Sequence, residues 1–419
     1  MLKPLDLTFR RLIREGSLDV VDSGGTRHRY GDGTGEPVAI RLCDRKLERM
    51  LVVDPELAAG EAYMQGRLTI ESGDAYAFLS LVMTNLARRP LPGWSRTLAA
   101  ARRATRQLNQ YNPRGRAMRN AQRHYDLDPR IYDLFLDPER QYSCAYFDGA
   151  LSLEEAQRAK MRHIAAKLVL EPGQRVLDIG SGWGGLARYL ALAADVHVDG
   201  ITLSREQLER SRRDASRIGL SSRVGFELKD YRDVERQYDR IVSVGMLEHV
   251  GVPHYPAFFG VLARCLCENG VALVHAICRS DDAGGTTNPF IAKHIFPGGY
   301  IPALSEVLPA IEQSGLLVTD IELLRLHYAE TLRAWRSRFL ANRDEARRIA
   351  GEEFCRMWEF YLAGSEAAFR HQGLMVFQIQ LARRVDTLPL TRAYIERAER
   401  TLAEREVGQA TGGAARSRA

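Results

Sequence analysis

From Val176 onward, short apolar runs of strand length alternate with longer amphipathic stretches. The pattern predicts strands at Arg175–Ile179, His197–Leu203, Val224–Leu228, Arg240–Val244 and Val271–Ile277. Helices are expected between them, including Arg205–Ile218 and Ala257–Cys267, the second closed by Gly270. Repeated units of this length imply an α/β domain. Its sheet should be mostly parallel and Rossmann-like, with helices on both faces and a ligand at the carboxyl ends of the strands. From Thr331 to about Glu404 the pattern reads as helical and is rich in Arg, Glu, Ala and Leu. Before Asn85 the strand-like run Val38–Leu42 alternates with helical stretches and with glycine turns at Gly24-Gly25 and Gly31 to Gly35, which suggests a small α+β domain. The expected organisation is therefore an N-terminal domain over 1–87, a link over 88–118, a main domain over 119–404 and a tail over 405–419. After Val407 that tail is mostly Gly, Ala, Ser and Arg, has nothing to bury, and is expected to be disordered.

Composition narrows the classes. With 419 residues, 45% hydrophobic and 27% charged, the chain has material for two domains and a sizeable core. Its six cysteines include no C-x-x-C pair and no histidine partner at metal spacing, which argues for a reducing compartment and against a zinc site or disulfide scaffold. No apolar run reaches the roughly 20 residues that span a bilayer, and MLKPLDLTFRRL lacks a signal-peptide core. A cytoplasmic location is expected.

The net charge of +6 is unevenly spread. Ten arginines occur from Arg88 to Arg123, whereas no Asp or Glu lies between Ala75 and Tyr125. Such a stretch is either a solvated link or a cationic surface for a polyanion. Its arginines are interleaved with Leu91, Trp94, Leu98 and Leu108, without an aromatic stacking platform, so lipid headgroups suit it better than nucleic acid. The first domain is accordingly expected to be lipid-associated, and the protein to sit peripherally on the inner face of a membrane.

The run Val176 to Gly185 reads as a strand, a glycine turn and a helix start, the arrangement that brings backbone N–H groups close to a ligand. It admits two readings. Gly180, Gly182 and Gly185 fit the dinucleotide pattern, with Asp199 about 20 residues on as a ribose-binding acid. Asp178 with Gly180-x-Gly182-x-Gly184 fits the loop of S-adenosylmethionine (SAM) methyltransferases equally well.

Further motifs decide between them. They are QYSCAYF (Gln141–Phe147), RVLDIGSGWGGLARYLA (Arg175–Ala191), GITLSREQ (Gly200–Gln207), YDRIVSVGMLEHVG (Tyr238–Gly251), His275 within the fifth strand, IFPGGYIP (Ile295–Pro302) and Tyr328-x-x-Thr331-Leu332-x-x-Trp335. In these residues the chain resembles the cyclopropane fatty acid synthase family, which includes the mycolic acid cyclopropane synthases. The resemblance spans about Gln122 to Leu381 and extends weakly to GEAYMQG (Gly60–Gly66).

The resemblance implies a SAM-dependent methyltransferase acting on a cis double bond of a phospholipid acyl chain. Methyl transfer there is followed by loss of a proton and closure of a cyclopropane ring. An alkene is a weak nucleophile, so the donor must be held in line with it. The cation formed requires dry aromatic and anionic surroundings with a base at hand. In the family that base is a bound bicarbonate, and its holders map onto Glu248, His275, Tyr328 and the backbone around Cys144 and Ile277. The SAM contacts map onto Tyr142, Ser143, Asp178, Gly180, Ser181, Gly182, Trp183, Gly184, Thr202, Leu203, Ser204, Gln207, Asp230 and Tyr231. No metal is implied, and a homodimer is. The same site could instead leave a methyl or methylene branch.

Read singly, His275, Tyr328 and Cys144 would be core residues; an expected pairing with Glu248 raises His275 above that. No base neighbours Cys144 in sequence, so it is assigned a backbone role. Thr202 to Ser204 end the second strand, which makes Asp199 a mid-strand residue and removes the dehydrogenase reading. Three departures from the family stand out: Ser365 replaces a late cysteine, which rules out an essential thiol there, while Asp128-Pro129-Arg130 replaces Gly-Asn-Asp and Asn288 to His294 replaces Asp-Pro-Trp-Ile-Asn-Lys-Tyr, which bear on the acceptor lipid. The last two are expected near the acyl entrance.

Overall fold

The computed structural model describes residues 1–88, 128–149, 151–280 and 285–416, with side chains to residue 406. All of the arginine-rich link beyond Arg88 lies outside the described residues.

The small domain is built on four strands: β1 (Ser17–Val21), β2 (Arg27–Gly31), β3 (Val38–Leu42) and β4 (Leu68–Ser72), in the order β2-β1-β3-β4. β1 and β2 form an antiparallel hairpin, and β1 runs parallel to β3. Asp44 and Asp54 start the helices Arg45–Val53 and Pro55–Met64 by accepting hydrogen bonds from Leu47 N and Leu57 N. Helices Lys3–Leu12 and Ala75–Arg88 complete the layer over an apolar core that includes Leu18, Val20, Ile40 and Leu47.

The main domain holds seven strands, β5 (Arg175–Ile179), β6 (His197–Thr202), β7 (Val224–Leu228), β8 (Tyr238–Val244), β9 (Leu266–Arg279), β10 (Leu317–Leu324) and β11 (Leu374–Ala382). Their order is β10-β11-β9-β8-β5-β6-β7. β5 to β9 are parallel, whereas β11 runs antiparallel to both β9 and β10. Alternate residues of β5 serve opposite faces. Val176 packs among Ile164, Leu190 and Leu402, and Leu177 and Ile179 pack toward Phe258, Leu262 and Ile311. The chain order reverses between β5 and its neighbours β6 and β8, which opens a crevice at the strands' carboxyl ends.

Several sequence expectations change. The helix expected over Ala257–Cys267 runs from Tyr255 to Cys265, and Gly270, expected as the stop beyond it, lies inside the 14-residue strand β9. The stretch expected to be helical throughout contains β11. Its alternation, Gln378-Ile379-Gln380, is hidden from a sequence reading because both glutamines are buried against polar partners. Of the tail expected over 405–419, residues up to Arg416 belong instead to a helix, Ala393–Arg416, and the rest lies outside the described residues. Arg162 and Tyr189 both bond Glu406 within that helix. At Asp128-Pro129-Arg130, Asp128 accepts from Arg130 N and caps the short helix Pro129–Asp133.

Candidate active site

β5 delivers Asp178 and Ile179 to the crevice, and the chain then turns through Gly180, Gly182 and Gly184 with φ of 79°, 54° and 76°. Glycine at these positions has separate causes. A Cβ on Gly184 would stand 2.6 Å from the Phe226 ring, so this residue lets the following helix pack on the sheet. A Cβ on Gly182 would meet nothing within 4 Å, so its surroundings are open. Every predicted SAM residue except Gly184 lines the cavity beside this loop, which measures about 170 Å³.

Asp199 lies away from it. It sits mid-strand opposite Leu177 and Gly225 and ion-pairs with Arg236 at 3.5 Å. At the end of β6 the polar groups are neutral: Thr202 Oγ1 donates to Gln207 Oε1 at 2.8 Å, and Ser204 Oγ accepts from Gln207 N at 3.3 Å.

Burial raises the pKa of Asp178 to about 7, and its Oδ2 finds no hydrogen-bond partner among the described residues. The nearby Lys160, also wholly buried, is lowered to about 8 by desolvation. Sequence reading missed this lysine. The helix Leu153–Leu168 carries Gln157, Lys160, His163 and Lys167 along one face, a spacing that would ordinarily mark a solvated stripe. All four are buried. Gln157 Nε2 donates to Ser143 O at 2.9 Å and to Gln141 O at 3.2 Å. Lys160 Nζ donates to Ser143 Oγ at 2.9 Å and to Gln141 Oε1. These bonds hold the Gln141–Cys144 segment against the glycine loop.

The predicted catalytic residues gather on a second cavity of roughly 530 Å³, which all five line. Glu248 stands in the short turn Leu247–His249 after β8 and accepts from Ile277 N in β9 at 2.7 Å. Burial raises its pKa to about 7, and Oε2 has no partner among the described residues. The Ile277 N–H is thus already taken by Glu248, and its part is to orient that carboxyl, not to hold an anion itself.

His275 departs from expectation as well, since its bond is to Gln378 and not to Glu248. Gln378 Nε2 meets His275 Nδ1 at 3.2 Å, across the β9–β11 register. Burial lowers its pKa to about 3, so the imidazole is neutral. With Nδ1 accepting, Nε2 carries the proton. Tyr328 opens the helix His327–Ala341 against Trp335 and Phe369. That helix grips the QYSCAYF segment, since Thr331 Oγ1 accepts from Ala145 N at 3.0 Å and His327 Nδ1 from Phe147 N at 2.9 Å. Cys144 is buried, burial raises its thiol pKa, and Sγ donates to Ala145 O, so no thiolate forms there. Ser365, Asn288 and Phe290 also line this cavity. Among the described residues no cluster of His, Cys, Asp or Glu could hold a metal ion.

Residues 113–379 match the family model of mycolic acid cyclopropane synthetase. The chain belongs to this family. It is a SAM-dependent methyltransferase of the branch that builds cyclopropane fatty acids or carries out related lipid methyl transfer. It is 37% identical over 350 residues to the cyclopropane-fatty-acyl-phospholipid synthase of Escherichia coli K12, covering 84% of this chain and 89% of the relative. It is 36% identical over 391 residues to a tuberculostearic acid methyltransferase of Mycobacterium tuberculosis, covering 90% of each. Among solved structures, a mycolic acid cyclopropane synthase complexed with SAH and CTAB superposes with a TM-score of 0.61 at 34% identity, over 65% of this chain and 99% of that one. The buried glutamine–lysine stripe of the helix Leu153–Leu168 adds a support to the Gln141–Cys144 segment that the motifs do not display.

Proposed function

We propose that this enzyme transfers the SAM methyl group to a cis double bond of a phospholipid acyl chain at a membrane surface, and that a cyclopropane ring results. The observation that carries this reading is a shared wall. Tyr142, Ser143, Gly245 and His249 line both the glycine-loop cavity and the apolar cavity containing Glu248, His275 and Tyr328. A donor in the first and an alkene in the second would be neighbours, which is what in-line transfer to a weak nucleophile requires.

The polar centre suits a small anion. The Glu248 carboxyl in its protonated form, which burial favours by raising its pKa to about 7, the Nε2–H of a neutral His275 and the Tyr328 hydroxyl line one cavity and can each donate a hydrogen bond. Together these residues would hold a bicarbonate, which would supply the base for proton removal. Aromatic side chains around them, Tyr142, Trp335 and Phe369, keep the surroundings dry and favour positive charge on the acyl chain.

Glu248→Gln should lower turnover by about 10²–10³ with little change in SAM affinity, the pattern of an interaction made in the transition state. Labelled-SAM assays on vesicles of defined unsaturated phospholipids measure it. Stripping carbon dioxide from the buffer should lower the rate and added bicarbonate should restore it. Full activity in degassed buffer would make Glu248 or His275 the base. Transfer and vesicle binding should both weaken with salt and with neutral lipid, as expected for basic residues outside the described part of the chain. Indifference to both would remove the membrane-surface reading.

The tuberculostearic acid methyltransferase relative favours a second product, a branched chain. The same cation losing a different proton would give a methylene-branched isomer of equal mass. Mild hydrogenation before mass spectrometry separates the two, because the alkene takes up hydrogen more readily than the ring.

A further inference from the structure

We propose that the hollow core of the small domain receives the methyl end of the acyl chain, so that its depth selects which double bond reaches Glu248, His275 and Tyr328. This rests on the reading of the second cavity as an acyl channel. Leu5, Phe9, Ile40, Leu51, Phe78 and Leu79 all belong to the small domain's apolar core, yet they line the same cavity as the three polar residues. A domain of this size has little apolar burial to spare, and walls that face a void forfeit their contacts. An occupant made of hydrocarbon restores them.

The occupant's orientation follows from polarity. The polar side chains Thr286, Thr287 and Asn288 on the cavity wall come from the main domain, where an ester and headgroup find partners. The small-domain lobe is apolar apart from Thr8 and Glu56. A methyl end has no polar atom to satisfy and can enter such a lobe without penalty. The lobe is also held at a set distance from the chemistry. Leu79 Cδ1 lies 3.6 Å from where a Cβ on Gly364 would stand, beside Ser365, and Glu61 bonds both Lys293 Nζ at 2.5 Å and His294 Nε2 at 3.0 Å.

Two measurements test the proposal on the full-length protein. First, vesicles of phosphatidylglycerol carry a phospholipid whose acyl chain bears a diazirine at its methyl end. Irradiation should place adducts on peptides within 3–12, 40–51 or 75–86, whereas a diazirine next to the ester should label 285–296. Methyl-end adducts confined to 285–296 would overturn the proposal whether or not the lipid is methylated. Second, labelled-SAM turnover is compared for two lipids sharing a double bond but carrying a long or a short methyl-terminal segment. Ala59→Phe, which fills the lobe, should lower the long-to-short ratio by about tenfold, and Phe78→Leu should raise it. Unchanged ratios in both variants, with SAM affinity intact, would overturn the gauge. Wild-type enzyme that methylates no unsaturated lipid would instead refute the reading under Proposed function, and the crosslinking result would still decide where the methyl end lies.

Discussion

Asp178 is wholly buried at the end of β5, and burial raises its pKa to about 7. SAM carries a sulfonium charge, so it binds the ionised carboxylate better than the neutral acid. SAM affinity is therefore expected to rise with pH through about 7 and then level off, and calorimetry in buffers of different ionisation heat should register proton release on binding. The sign for stability is opposite. The folded pKa lies above the unfolded one, so this group's contribution is present below the ordinary carboxylate range and is lost as pH rises through about 7 in the unliganded protein. Asp178→Asn should flatten both profiles; a SAM affinity that still climbs through pH 7 in the variant would assign the effect elsewhere. In the same titrations Gly182→Ala should lose SAM affinity, because its φ of 54° is strained for a side chain and its open surroundings would be blocked. Asp199→Asn should retain affinity, since Asp199 bonds Arg236 at mid-strand.

Within the helix Leu153–Leu168 the capping box of Ser152 and Glu155 sets the start, and a buried polar face faces the site. Lys160→Met would remove the donor to Ser143 and Gln141 and the cation whose charge lowers the Asp178 pKa. Each orphaned buried partner costs about 1–3 kcal/mol, so a lower melting temperature is expected together with weaker SAM binding. The diagnostic readout is the pH profile of SAM affinity, which should move upward because the Asp178 carboxyl loses a cation that lowers its pKa. A variant that melts earlier but keeps the wild-type profile would make Lys160 a packing residue only. The sequence reading named no helix here, and the polar face of this one gave no signal of burial. Spacing alone cannot distinguish a stripe facing water from one facing a buried loop.

Between the domains, the helix Pro55–Met64 lies against the segment that follows Asn288. A Cβ on Gly60 would come within 2.6 Å of Phe290 Cγ, and Glu61 bonds Lys293 and His294. Ser80 meets His371 at 2.9 Å, and Gln372 donates to Met83 O at 3.1 Å. Gly60→Ala should therefore displace Phe290, at a cost of about 1–3 kcal/mol, and disturb the second cavity, which Phe290 lines, while leaving the glycine loop untouched. Lipid methylation is expected to fall well before SAM affinity does. An equal loss of both would mean that the interface supports the whole fold and not the second cavity in particular. This packing also gives the weak GEAYMQG resemblance a physical basis, since the small residue and the carboxylate in it are both interface residues.

The sequence by itself determined the repeated strand–helix units, the glycine loop and the residues that come to line the two cavities, because periodicity and motifs are local in the chain. Glu248 could be read at a strand end, and Asp199 could be dismissed as mid-strand, for the same reason. Only the tertiary structure decided which polar groups meet. Gln378 and not Glu248 bonds His275, because β11, which a helical composition concealed, runs antiparallel beside β9. Likewise Ile277 is committed to Glu248, and Lys160 reaches Ser143 from a separate helix that begins ten residues after it, at Leu153. Such contacts depend on register and on packing between distant segments, and neither leaves a period in the sequence.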